Sequence, residues 1–159
     1  LKDIFRRKRL SSDFSLYLHR PTATDASMSP DGCDTFYALV PVPHLDAGID
    51  WKALGPEFRD RIQARLESTV LPGLSENVVC SHYLTPKDFE SRYNSYKGAG
   101  FGPEPVIWQS AWFRAHNRSE EVDNLYLVGA STHPGAGIPG VLTSARVVTE
   151  GVPHACELV

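Results

Sequence analysis

The sequence predicts a mixed α/β chain, and three observations carry that expectation. Two early segments, "DFSLYLHR" and "TFYALVPVP", have strand patterning. The stretch "GPEFRDRIQARLESTVLPGL" has a helical apolar stripe. The C-terminal stretch "NLYLVGASTHPGAGIPGVLTSARV" reads as a strand, a glycine-proline loop and a helix. At 159 residues, with 42% hydrophobic and 22% charged side chains, the chain falls among ordinary folded proteins, long enough for a core and too apolar for disorder. A net charge of -3 leaves no field that would attract nucleic acid, which is not expected as a partner.

Taken in order, "LKDIFRRKRL" is a basic amphipathic segment. Lys2, Arg6, Arg7, Lys8 and Arg9 are charged, and Ile4, Phe5 and Leu10 are apolar; a solvated helix face is the first reading, and a nucleic-acid or anionic lipid-headgroup contact is the other. In Asp13 to Arg20, Phe14, Leu16 and Leu18 alternate with polar neighbours, and Thr35 to Pro43 is more continuously apolar; the two are expected to pair antiparallel. Phe58, Ile62, Leu66 and Val70 then recur every four residues, bracketed by Pro56 and Gly73, which predicts a surface helix with one buried stripe. "NVVCSHYL" is expected as a strand. "TPKDFESRYN" is expected as a helix with Thr85 as N-cap and Pro86 as its first residue. "SYKGAGFGPEP" is a glycine-rich loop without the Lys-Ser/Thr of a phosphate loop. Trp108, Trp112 and Phe113 suit a core, or the border of an apolar tunnel.

Cys33, Cys80 and Cys156 are odd in number and widely spaced, which suggests neither disulfides nor zinc and fits a reducing cytoplasm. No histidine has metal-ligand spacing, and no metal is expected. No apolar run is long enough to span a membrane.

Gly135, Gly137 and Gly140 satisfy G-x-G-x-x-G. A dinucleotide fingerprint follows its strand at once and opens a strand-helix-strand unit with an acid about 20 residues on. Here five residues separate Gly129 from Gly135, and the chain ends 19 residues after Gly140; Glu157 stands at the right distance without a strand around it. The match is therefore incidental to that motif. The stretch still forms a ligand-facing helix start. Ile138 is expected as N-cap and Pro139 as the first helical residue, with Gly140 and Val141 presenting N–H groups at the positive end of the helix dipole. Glycines at 129, 135, 137 and 140 would let a planar ligand approach the backbone. Val141, Leu142, Ala145 and Val148 form the face expected to pack, with Thr143 and Ser144 opposite. A purely structural turn is the other reading of these residues.

"NLYLVGASTHPGAGIPGVLTSARV" closely resembles the C-terminal flavin-binding segment of the bacterial-type phytoene desaturases. "DFSLYLHRPT", "GCDTFYALVPVPHL", "LTPKDF" and "QSAWFRAHNR" resemble segments of the same family in the same order. The resemblance implies a two-domain FAD-dependent oxidoreductase, in which hydride passes from a polyene of carotenoid biosynthesis to the flavin. It implies that residues 1–120 belong to the substrate-binding domain and 121–159 complete the FAD-binding domain. Gly129, Ala130, His133, Pro134, Gly135, Gly137, Ile138, Pro139, Gly140 and Val141 become the cofactor-contact candidates; no catalytic side chain is assigned. The implied partners are the polyene, a membrane surface and the N-terminal half of the same enzyme, because the family's N-terminal fingerprint has no counterpart here. The expected location is the cytoplasm, peripheral to a membrane. Ser131 stands where the family usually has glycine, and the tail "TEGVPHACELV" departs from the expected alanine-rich ending. A related carotenoid isomerase or oxygenase, or a noncatalytic lipid-binding or assembly module, are the alternatives.

Overall fold

The computed structural model describes residues 2–104 and 106–153. Cys156, His154 and Glu157 lie outside the described residues. The chain forms two compact units, Leu1–Gly98 and Ala99–Val159.

The first unit contains helix α1 (Lys2–Phe5), strands β1 (Tyr17–His19) and β2 (Tyr37–Leu39), and helices α2 (Trp51–Thr69), α3 (Leu74–Asn77) and α4 (Pro86–Tyr93). β1 and β2 pair antiparallel as expected, with Leu18 opposite Ala38. Both are shorter than their patterning suggested. Helix α2 starts at Trp51, five residues before Pro56, because Asp50 caps it, its carboxylate accepting from the N–H groups of Lys52 and Ala53. Pro56 therefore lies inside the helix rather than at its start. The carbonyl deprived of its donor, that of Lys52, belongs to an exposed residue, where the loss is cheapest. The buried stripe runs through Trp51, Gly55, Phe58 and Leu66, with Ile62 half-buried; Val70 falls beyond the helix and is exposed. Phe14 packs edge-on against Phe58 at 5.4 Å.

Helix α4 begins as the sequence requires. Thr85 and Asp88 form a reciprocal capping box, and Pro86 occupies the first turn. "NVVCSHYL" is not a strand. It runs as a loop with Val79 87% exposed, because no neighbouring strand among the described residues takes up its backbone N–H and C=O groups.

The second unit is built around helix α5 (Ile138–Gly151). The strand expected at 124–130 is reduced to single bridges, Arg118 to Tyr126 antiparallel and Ala115 to Thr132 parallel. A continuous strand needs a continuous partner, and among the described residues only the segment from Arg114 to Ser119 runs beside it. The mixed α and β class stands, with a small sheet. The core is slighter than the chain's length led us to expect: among the described residues only Trp51, Phe58 and Leu66 are buried large hydrophobics. Trp108 and Trp112, at 74% and 71% exposure, and Phe113 do not pack in a core here.

Candidate functional site

The glycine-proline loop hangs from a hairpin-like pair of segments. Leu127 N–H donates to the Asn117 carbonyl at 2.8 Å, Ser119 N–H to that of Leu125 at 2.9 Å, and His133 N–H to that of Ala115 at 2.9 Å. Arg114, buried although cationic, reaches the Ala130 carbonyl with Nη1. The loop is thus fixed through its backbone by residues well upstream.

Helix α5 turns a mixed face inward, with Ser144 between Val141 and Val148. Ser144 is completely buried, and its Oγ meets Asn117 Nδ2 at 2.9 Å, Thr132 Oγ1 at 2.8 Å and the Gly129 N–H at 3.2 Å. The face expected to pack is divided: Val141 and Val148 are half-buried, whereas Leu142, 66% exposed, and Ala145 are outward, and Thr143 is exposed as expected. Hydroxyl and carboxamide partners inside the unit account for Ser144 lying inward, since a buried hydroxyl that finds them costs little to bury.

The candidate residues sort by what lies beside them. Gly129, at φ +129°, has open space where a Cβ would stand. Gly137, at φ +89°, has only the Pro139 ring at 4.0 Å. Both adopt backbone conformations that favour glycine. Gly135 is buried beside the Arg114 guanidinium. A Cβ on Gly140 would lie 2.5 Å from the Gly135 carbonyl oxygen. What approaches Gly140 is therefore the loop itself, which corrects the expectation that its smallness admits a ligand. Gly137, not Ile138, is the N-cap; Ile138 and Pro139 make up the exposed first turn. The N–H of Val141 is already given to the Gly137 carbonyl at 2.9 Å, so it is not a free donor. Pro139 has none to give. In that turn the N–H groups of Ile138 and Gly140 find no acceptor among the described residues.

His133, joined to Pro134 by a cis peptide, borders a cleft of about 330 Å³ with Trp112, His116, Tyr126 and Val148. The His116 ring is held between Glu120 Oε1, 2.6 Å away, and the Trp112 carbonyl, 3.3 Å away. Asn117, Arg114 and Thr132 are not among the residues singled out from the sequence, and the sequence places Ser144 only on the outer face of its helix.

The loop and helix start have open backbone faces at Gly129 and Gly137 and N–H groups of Ile138 and Gly140 without an acceptor among the described residues, and the family comes from the sequence. Residues 20–152 match the flavin-containing amine oxidoreductases, and the chain belongs to that family. FAD is the cofactor this membership implies. Among its relatives, the chain is 54% identical over 147 residues to the lycopene-forming phytoene desaturase of Pantoea ananas, covering 92% of this chain and 30% of that protein. It is 52% identical over 157 residues to the neurosporene-forming phytoene desaturase of Cereibacter sphaeroides, covering 98% and 30%. With the zeta-carotene-forming phytoene desaturase of Myxococcus xanthus it shares 44% over 149 residues, covering 93% and 29%. The chain thus spans about 30% of the length of these relatives.

Proposed function

We propose that this chain is the C-terminal part of an FAD-dependent desaturase acting on phytoene or a related polyene. The observation that carries the reading is the 52% identity over 98% of the chain to a phytoene desaturase, a span that includes the whole glycine loop. In this reading residues 1–120 contribute to a substrate-binding domain and residues 121–159 complete the FAD-binding domain.

The geometry of the loop supports this reading. Gly129 and Gly137 form a cradle that side chains would fill, and Gly137 and Ile138 open the positive end of α5. Gly129, Ala130, and the run His133, Pro134, Gly135, Gly137, Ile138, Pro139, Gly140 and Val141 are the residues proposed to hold it. The N–H groups of Ile138 and Gly140 would meet an acceptor-rich edge of the cofactor; Gly135 and Gly140 would shape the loop from beneath. When bound, FAD supplies a two-electron acceptor for the hydride lost by one carbon as a proton leaves its neighbour. Trp108, Trp112 and Phe113 would wall an apolar path for the polyene and exclude water from it. Ile138, Leu142 and Val147, exposed on α5, are side chains that the N-terminal part of the same enzyme would cover.

A C40 polyene stays in a bilayer unless a protein offers an apolar path, each CH₂ being worth about 0.8 kcal/mol, so the complete protein would work at a membrane surface. Among the described residues no helix is long and apolar enough to cross a membrane. The reading is tested with the complete protein, loaded with FAD and mixed anaerobically with phytoene-bearing liposomes. Bleaching of the visible flavin band together with a longer-wavelength polyene absorption is the expected result. An FAD-loaded protein that leaves both unchanged would refute it, and a protein that binds the liposomes but no FAD would favour a noncatalytic module.

A further inference from the structure

Three side chains drawn from three segments meet at Gly129, and counting their protons fixes the direction of every bond. The Leu127 carbonyl can only accept, so the Asn117 atom 3.1 Å from it is the amide nitrogen. That nitrogen has one more hydrogen, and Ser144 Oγ at 2.9 Å is the nearer acceptor, Thr132 Oγ1 being 3.5 Å away. Ser144 Oγ also receives the Gly129 N–H at 3.2 Å, which fills both its lone pairs. Its own hydrogen must therefore go to Thr132 Oγ1, 2.8 Å away. Thr132 in turn donates its hydroxyl to the Gly129 carbonyl at 2.9 Å, beside its own N–H at 3.2 Å. Asn117 and Thr132 are 8% and 6% exposed and Ser144 is fully buried, so water does not compete.

We propose that Asn117, Ser144 and Thr132 form a one-way hydrogen-bond relay that pins Gly129 and so presets the loop for FAD. Both backbone polar groups of Gly129 are captured by side chains while it sits at φ +129° with its outer face open. The three are positioning residues: they act through Gly129. The inference rests on the reading of this loop as a flavin site. A loop held in its binding conformation before the ligand arrives does not lose that ordering entropy on binding, so loosening the relay weakens the cofactor.

The test uses the complete protein. Thr132→Val is nearly isosteric but removes the acceptor for Ser144 and the donor to Gly129, whereas Thr132→Ser keeps both. Thr132→Val is expected to weaken FAD binding, read by flavin fluorescence, by roughly tenfold, the scale of one lost buried hydrogen bond. Thr132→Ser is expected to restore wild-type affinity. Equal FAD affinity in Thr132→Val and wild type overturns the relay. Should Thr132→Val fail to fold, site-resolved amide exchange on the FAD-free wild type decides: slow exchange at Gly129 supports the relay, and exchange as fast as that of an exposed loop overturns it. A wild type that takes up no FAD would instead overturn the flavin reading beneath it.

Discussion

Replacing Gly140 by alanine asks whether the loop or the cofactor requires glycine there. The added Cβ would stand 2.5 Å from the Gly135 oxygen and 3.0 Å from its carbon. Close C···O approaches in proteins are about 3.3 Å, so the Gly135 peptide has to retreat by about 0.8 Å. It is a backbone group, buried against Arg114, and cannot swing aside. Overpacking of this kind costs about 1–3 kcal/mol, and the better helix propensity of alanine returns at most about 1 kcal/mol. A net loss of about 1.4 kcal/mol lowers amide-exchange protection at the start of α5 by roughly tenfold, even without FAD. Gly151→Ala is the control. It lies at the other end of the same helix with nothing within 4 Å of its Cβ position, and it should leave protection unchanged or slightly raised. Protection at Gly140→Ala equal to wild type in the FAD-free protein, with weakened flavin binding, would refute the packing argument and return Gly140 to direct ligand contact.

Thr85→Ala should loosen α4 by about 1 kcal/mol, seen as faster amide exchange from residues 86 to 89. The Thr85 hydroxyl and N–H hold the Asp88 carboxyl below its ordinary value; this contribution is full above about pH 4 and lost as pH falls through that lowered value, so Asp88→Asn should abolish the acid loosening of α4. Gly98→Ala should be severe, about 3 kcal/mol, because a left-handed φ of +68° combines with a Cβ 2.1 Å from the Pro86 oxygen; a stable variant in denaturation would contradict this. The complete protein should float with anionic liposomes, and changing Lys2, Arg6, Arg7, Lys8 and Arg9 to Gln should weaken that by less than five full charges' worth, because Asp3 already pairs with Arg7 and Arg9. Undiminished flotation would remove this segment from the membrane contact.

What could be read from the sequence was local. The Thr85 cap with Pro86 behind it and the stripe through Phe58 and Leu66 depend on residues a few positions apart, and the antiparallel pairing of Tyr17–His19 with Tyr37–Leu39 joins segments that follow one another in the chain; all three formed. The expected strands at 78–84 and 124–130 depend on a partner, and an apolar run cannot say whether one exists within the same chain. Helix α5 shows the limit most sharply. Periodicity placed Val141 and Val148 inward and Thr143 outward correctly but put Leu142 and Ala145 inside and Ser144 outside, because hydrophobicity weighs Ser144 as a surface residue and takes no account of Asn117, which lies 27 positions upstream and gives it a partner. The family was legible because its glycine loop is a pattern of adjacent residues; the side chains that hold that loop are scattered along the chain.

The glycines of the loop consequently answer two different demands, which substitutions can separate. Gly140 has an ordinary helical backbone, so any residue could adopt its dihedral angles, and only the Gly135 carbonyl forbids one. Gly137 has space for a side chain, with nothing nearer than 4.0 Å, but its φ of +89° strains any L residue. With ψ at 155°, Gly137 lies in a backbone region that asparagine tolerates no better than alanine, but an asparagine side chain can cap a helix and an alanine cannot. Gly137→Asn should therefore preserve α5 better than Gly137→Ala, while both place atoms in the space proposed for the cofactor. If FAD affinity follows the helix, high for Asn and low for Ala, the open face is not where the flavin lies. If both variants lose FAD while Gly137→Asn keeps its exchange protection, that space is part of the cofactor site.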